Sequence, residues 1–186
     1  VVVATGHYGN WEMAAAGVSQ NSKYTFNGIF SPLKNEFLNR KIIESRTLFG
    51  TVITNKHTFK KWITKINELE ELQALTFIAD QSATYSKNVY WMNFLNQDTA
   101  VMFGAEKYAK ELKAPFLLGR IHYMNRGHYE ISFHLISEDA SKEPHGFITE
   151  AHTKALEEWI IERPEHWLWT HRRWKRKRQP EEVLAN

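Results

Sequence analysis

The chain has 186 residues, 42% of them hydrophobic and 13% aromatic, with 24 Lys and Arg against 21 Asp and Glu and a formal net charge of +3. That length suits one domain over residues 1–186, burying roughly 70% of the surface its unfolded chain exposes, and the composition argues against disorder. There is no Cys, which excludes disulfides, a thiolate nucleophile and thiolate metal sites, and no run approaches the 18 apolar residues of a membrane span. The chain begins without Met, directly in an apolar run, and no charged segment precedes it as in a signal peptide. It is therefore expected to be part of a longer protein with a further amino-terminal region.

In chain order, VVVAT reads as a short buried strand and WEMAAAGVSQ as a helix. YTFNGIF, Tyr24 to Phe30, reads as a second strand, and EFLNRKIIESRTLFG as a helix closed by Gly50 in a C-capping role. TVIT is a short strand. The spacing of HTFKKWITKINELEE predicts an amphipathic helix whose Trp62, Ile63, Ile66 and Leu69 face the core. ALTFIADQ is a strand whose apolar run stops at Asp80 and Gln81, and VYWMNFL is another. TAVMFGAEKYAKEL is expected to be a helix with Asp98 or Thr99 as its N-cap. FLLGRIHYM and HYEISFHLI flank the turn residues NRG, a hairpin signal. FITEAHTKALEEWIIE is the last helix, ended by Pro164. Strands alternating with helices predict an α/β fold: a mostly parallel central sheet flanked by helices on both faces, with a late antiparallel hairpin.

Chemistry concentrates just past the first strand, in GHYGNWE. Ligands of open α/β sheets bind beyond the carboxyl ends of strands, and His7 lies there. With Asn10 as N-cap, Glu12 falls in the first helical turn, where the helix dipole favours its ionised form. In a continuous helix His7 and Glu12 would stand about 140° apart and out of contact. With His7 in the loop the two can meet. A carboxylate accepting one imidazole N–H fixes the tautomer and makes the other nitrogen more basic, as a general base acting on a hydroxyl requires. Free N–H groups at the helix start suit an oxyanion or phosphate. The same residues also fit an ordinary loop His and a helix-start acid.

GHYGNWE resembles the His-x-x-x-x-Asp/Glu motif of glycerolipid-type acyltransferases, in the form common among the late acyltransferases of lipid A biosynthesis. FSPLKNEFLNRKIIESRTLFG is similar to that family's second block, with Arg46 and Gly50 at its recurrent Arg and Gly. ADQS resembles its Asp-Gln strand end, FLNQDTAVMFGAEKYAKELKAPFLLG a further block, and WLWTHRRWK its closing block. The Phe-Pro-Glu-Gly-Thr motif of the glycerol-phosphate branch is absent from the sequence. The resemblance implies a glycerolipid-acyltransferase-like fold and acyl transfer from an acyl carrier protein thioester, or acyl-CoA, to a hydroxyl of a lipid A precursor or another lipid acceptor. His7 is then the base and Glu12 the acid that orients it. Asn10, Arg46, Asp80 and Gln81 are oxyanion or acceptor contacts, and Asp80 and Gln81 equally fit a brace for the His7 loop or a structural cap. No cofactor and no metal are implied. The expected location is the cytoplasmic face of a bacterial inner membrane, as a peripheral protein.

Other patterns carry less. No His-Glu-x-x-His occurs, and His122, His128 and His134 span a hairpin turn, so metal binding is not expected. Ser82 lacks a Gly-x-Ser-x-Gly elbow. Tyr90 and Trp91 suit either core packing or an acyl groove. The tail THRRWKRKR interleaves basic residues with tryptophans, and His171, Arg172, Arg173, Trp174 and Lys175 are expected to meet phosphates or an anionic membrane surface. A nucleic-acid-binding module is the competing class, disfavoured because such a protein has no use for His7 and Glu12 at a strand end.

Overall fold

The structure, a computed structural model, describes residues 1–83 and 88–184. Its elements in chain order are β1 (Val2–Thr5), α1 (Trp11–Gly17), β2 (Thr25–Phe30), α2 (Glu36–Thr47), β3 (Val52–Asn55), α3 (Phe59–Ile63), β4 (Gln73–Ile78), β5 (Val89–Phe94), β6 (Gln97–Met102), α4 (Gly104–Glu111), β7 (Phe116–Asn125), β8 (His128–Ser137) and α5 (Phe147–Glu162). The fold is α/β, with a mostly parallel six-stranded sheet flanked by helices and a separate antiparallel pair formed by β5 and β6. The chain divides into two compact units: residues 1–9 together with the chain from Phe77 onward, and Asn10–Thr76.

In the first unit β1 pairs parallel with β7, and β7 runs back antiparallel as β8. Val2, Val3 and Ala4 are all buried, as an apolar run covered on both faces of a parallel sheet must be. The turn between β7 and β8 places Gly127 at φ +82, where a Cβ would be strained. Helix α5 buries Ile148, Leu156, Trp159 and Ile160. It closes so tightly on the loop after β1 that a Cβ on Gly6 would lie 2.8 Å from Leu156 Cδ1. Only glycine leaves that loop its path under the helix.

The start of α5 is held from α4. The fully buried carboxylate of Glu106 accepts from Gly146 N at 2.7 Å and from Thr149 N and Thr149 Oγ1 at 2.9 and 2.7 Å. The two backbone N–H groups are donors that a helix start leaves without partners.

Residues 99–112 differ from expectation. They do not form one helix: Gln97–Met102 is strand β6, registered antiparallel on β5 from Phe94↔Gln97 to Val89↔Met102, and the helix begins only at Gly104 after Phe103. Leu95 and Asn96 both adopt left-handed backbone, with φ of 52° and 59°, and make the two-residue turn that folds the chain back. Asp98 and Thr99 are thus strand residues and not an N-cap. Helical spacing in TAVMF was outweighed by the partner strand, a pairing that local periodicity does not register.

In the second unit β2 pairs parallel with β3 on one side and β4 on the other. Asn10 and Asn35 cap α1 and α2 by accepting from Met13 N and Leu38 N. Gly50 follows α2 at φ +89, the left-handed C-terminal position expected of it. The helix expected over residues 57–71 is shorter: α3 covers Phe59–Ile63 and a 3-10 turn Ile66–Glu68. Ile63 and Ile66 are buried as expected, whereas Leu69 is exposed.

Candidate active site

The loop after β1 and the end of β4 bring His7 and Asp80 together within the first unit. His7 Nδ1 lies 2.6 Å from Asp80 Oδ1, and the backbone N–H of His7 donates to Asp80 Oδ2 at 2.9 Å. A carboxylate only accepts, so Nδ1 carries the proton and Nε2 keeps its lone pair. The Gln81 amide donates to that Nε2 at 3.1 Å. Asp80 Oδ2 also accepts from the indole N–H of Trp167 at 2.8 Å. Burial of Asp80 works against its charge, but the hydrogen bond and charge of His7, with the Trp167 indole, outweigh it and hold the carboxyl below its ordinary value. The result is an imidazole ring held in one orientation by an ionised acid at Nδ1, with Nε2 against the Gln81 amide.

The segment after α5 locks this loop. Gly9 N donates to His166 O, Leu168 N donates to His7 O, and Tyr8 and Trp167 form an antiparallel bridge. Tyr8 Oη donates to Trp159 O at 2.9 Å. Trp167 packs edge-on against Phe94, Trp169 and Trp174. His7 is therefore positioned by the strand before it and by a backbone ladder some 160 residues later in the chain.

In the second unit, the bond from Asn10 to the start of α1 leaves Glu12 in the first turn, and Arg46 from the last turn of α2 grips it. Arg46 Nε and Nη2 reach Glu12 Oε2 and Oε1 at 2.8 and 2.6 Å, a two-pronged pair that directs the guanidinium as well as neutralising it.

The basic tail is divided in two by burial. Arg172 and Lys175 are exposed. Arg173, expected at a phosphate or membrane surface, is 4% exposed, and its Nη2 donates to Ala100 O at 2.9 Å. Trp174 is likewise turned inward, its indole donating to Thr99 Oγ1 at 2.8 Å. His171 Nε2 accepts from Ser82 N at 3.0 Å, and burial followed by the charge of Lys175 lowers its proton affinity. Arg178 pairs with Asp98. An alternation of basic and aromatic residues reads as a surface stripe in sequence, but here Arg173 is buried and Trp174 half-buried against β6 while Arg172 and Lys175 stay exposed.

Two residues of this neighbourhood carry no motif signal of their own. Trp167 was visible only within WLWTHRRWK, and His152 sits mid-helix in α5. Burial pushes His152 down to about 4, with Asp80 opposing. The unfolded ring takes its proton near 6.5, so between about 6.5 and 4 the unfolded state binds more protons and stability falls as pH falls. Urea titrations across that window are expected to lose up to about 3 kcal/mol from this group, and His152→Gln to flatten the dependence. Trp91 is buried, so of the two aromatics considered for a groove it is a core residue.

Among the described residues no group of three or more His, Asp or Glu is placed to hold a metal ion, and no helix is long and apolar enough to cross a membrane. The family model for bacterial lipid A biosynthesis acyltransferases matches residues 1–176. Among curated proteins nothing matches the chain.

Proposed function

Since the chain belongs to the bacterial lipid A biosynthesis acyltransferase family and is thereby an O-acyltransferase, we propose that it moves a fatty acyl chain from an acyl carrier protein thioester to a hydroxyl of a lipid A precursor, with His7 as general base. The observation that carries this reading is the Asp80–His7 pair, 2.6 Å from Oδ1 to Nδ1, with Nε2 left as the basic nitrogen. The acceptor hydroxyl takes the place of the Gln81 amide on Nε2. Nε2 removes the hydroxyl proton as the oxygen bonds to the thioester carbonyl carbon. Collapse of the tetrahedral intermediate breaks the C–S bond, and the imidazolium returns the proton to the departing thiolate. No protein nucleophile is needed.

In this mechanism Asp80 orients and polarises His7, the part that the motif spacing assigned to Glu12. We assign Glu12 instead to hold the Arg46 guanidinium in a fixed direction, as a donor for an anionic or polar group of the acceptor. Arg46→Lys is then expected to lower kcat about tenfold or more, because an ammonium does not reproduce the fork. Glu12→Gln is expected to lower it less than His7→Ala; steady-state rates on one acceptor would rank the three.

The family is membrane-associated in general, and we place this protein on the cytoplasmic face of the inner membrane, where acyl carrier protein is available. Exposed Arg172 and Lys175, and Phe37 and Leu38 exposed beside Arg40 and Lys41 on α2, support contact with an anionic lipid surface. The deciding experiment incubates the full-length protein and a lipid A precursor with acyl carrier protein thioester or acyl-CoA and weighs the product. One added acyl chain, faster from the carrier protein, is expected. Acylation of other lysolipids with none of the precursor would overturn the reading.

A further inference from the structure

Beside Asp80 the first unit holds a small cavity of about 10 Å³, lined by Thr5, Asp80, Leu118, His152, Leu156 and Arg173 among others. That is room for about one water molecule. Two residues at this cavity carry buried nitrogens with no hydrogen-bond partner among the described residues: Nε2 of His152, whose Nδ1 lies 3.4 Å from Thr153 Oγ1, and Nε of Arg173. Both side chains are more than nine-tenths buried. A buried guanidinium is costly unless it answers an anion, and hydrogen bonding to the Ala100 carbonyl alone does not supply one. Burial draws Arg173 down to about 10, with Asp80 as the one charge acting to keep its proton. The other titratable groups facing Asp80 are His7 from the β1 loop, His152 from α5 and His171 from the closing segment, with Lys175 acting on His171.

We propose that Arg173 is a positioning residue for the transfer reaction. Its guanidinium faces Asp80 across a water-sized cavity, and one water there accepts from Arg173 Nε and donates to His152 Nε2. This balances the Asp80 charge, so that the Asp80–His7 pair does not hold an extra proton and His7 Nε2 stays available as base. The proposal rests on the reading of His7 as the base and adds a residue that touches neither substrate nor His7. It accounts for a cation kept in the interior of a tail whose neighbours Arg172 and Lys175 are exposed.

The test uses the full-length protein with Arg173→Met, Arg173→Gln and Arg173→Lys. Two readouts are taken: the pH profile of kcat, and the titration of the Asp80 carboxyl by carbon NMR, which needs no substrate. In the neutral variants both the acid limb of kcat and the Asp80 titration are expected to move to higher pH by about one unit, a loss of about tenfold in rate at a pH on that limb. Arg173→Lys, which keeps the charge, is expected to return both towards their parental positions. Arg173→Gln retains a donor for the Ala100 carbonyl and serves if the Met variant does not fold. An equal loss of rate at every pH with the Asp80 titration unmoved would make Arg173 a packing residue only and overturn the proposal. So would a Lys variant that behaves like the neutral ones. Failure of the precursor to be acylated, with the Asp80 titration still responding to residue 173, would refute the proposed function and leave this inference standing.

Discussion

His7→Ala is expected to lower acyl transfer by about 10²- to 10⁴-fold while leaving the fold intact, because a positioned general base contributes that much. The side chain is small, lies in a loop and makes its contacts to Asp80 and Gln81 through ring atoms. The backbone bonds that lock the loop, His7 N–H to Asp80 Oδ2 and Leu168 N–H to His7 O, survive the substitution. Circular dichroism should therefore remain near the parental spectrum, with the urea midpoint lowered because the buried Asp80 carboxylate loses its ring partner. Asp80→Asn should cost less at the chemical step but act through the same nitrogen. An amide in place of the carboxylate permits the wrong tautomer, and the acid limb of the rate profile should change shape as well as height. Transfer at the parental rate by a folded His7→Ala protein would refute the mechanism outright.

Glu106→Ala is expected to be the most destabilising single change, at about 3–5 kcal/mol. The carboxylate has no exposure to solvent and satisfies two backbone N–H groups and one hydroxyl at the start of α5. Removing it leaves three buried donors unpaired and takes the ion-pair partner from Lys110, whose Nζ stands 3.6 Å away. Because α5 also carries His152, Trp159 and the Leu156 that roofs Gly6, loosening its start should reach the His7 loop. Activity should then fail at lower temperature than in the parent. Glu106→Gln keeps an acceptor for one or two of the three donors and should recover part of the loss; a chemical denaturation midpoint within error of the parent for Glu106→Ala would contradict this account.

Much of this arrangement was legible in the residues themselves. Val2, Val3 and Ala4 form a buried strand because nothing in that run tolerates water, and Asn10, Gly50 and Gly127 set a cap and two left-handed turns by backbone chemistry that acts within four residues. The helix of Phe147–Glu162 was readable to the residue, since its apolar spacing ends at a proline. The spacing also singled out His7, Asn10 and Glu12, and the string ADQ marked Asp80 and Gln81 as a strand end. Local pattern does not carry pairing across the chain. Asp80 is 73 residues from His7 and Trp167 is 87 from Asp80, and no periodicity links them. Residues 97–102 became a strand because β5 offered a ladder that a helix would have forfeited. Arg173 looks like part of a surface stripe with Arg172 and Lys175 until folding decides which side chains the core encloses. Sequence determines which residues have chemistry to offer and what the backbone does over a few residues. Tertiary structure decided which carboxylate meets the imidazole, because hydrogen bonds and burial depend on distance in space, and only the packed sheet ends and α5 supply that.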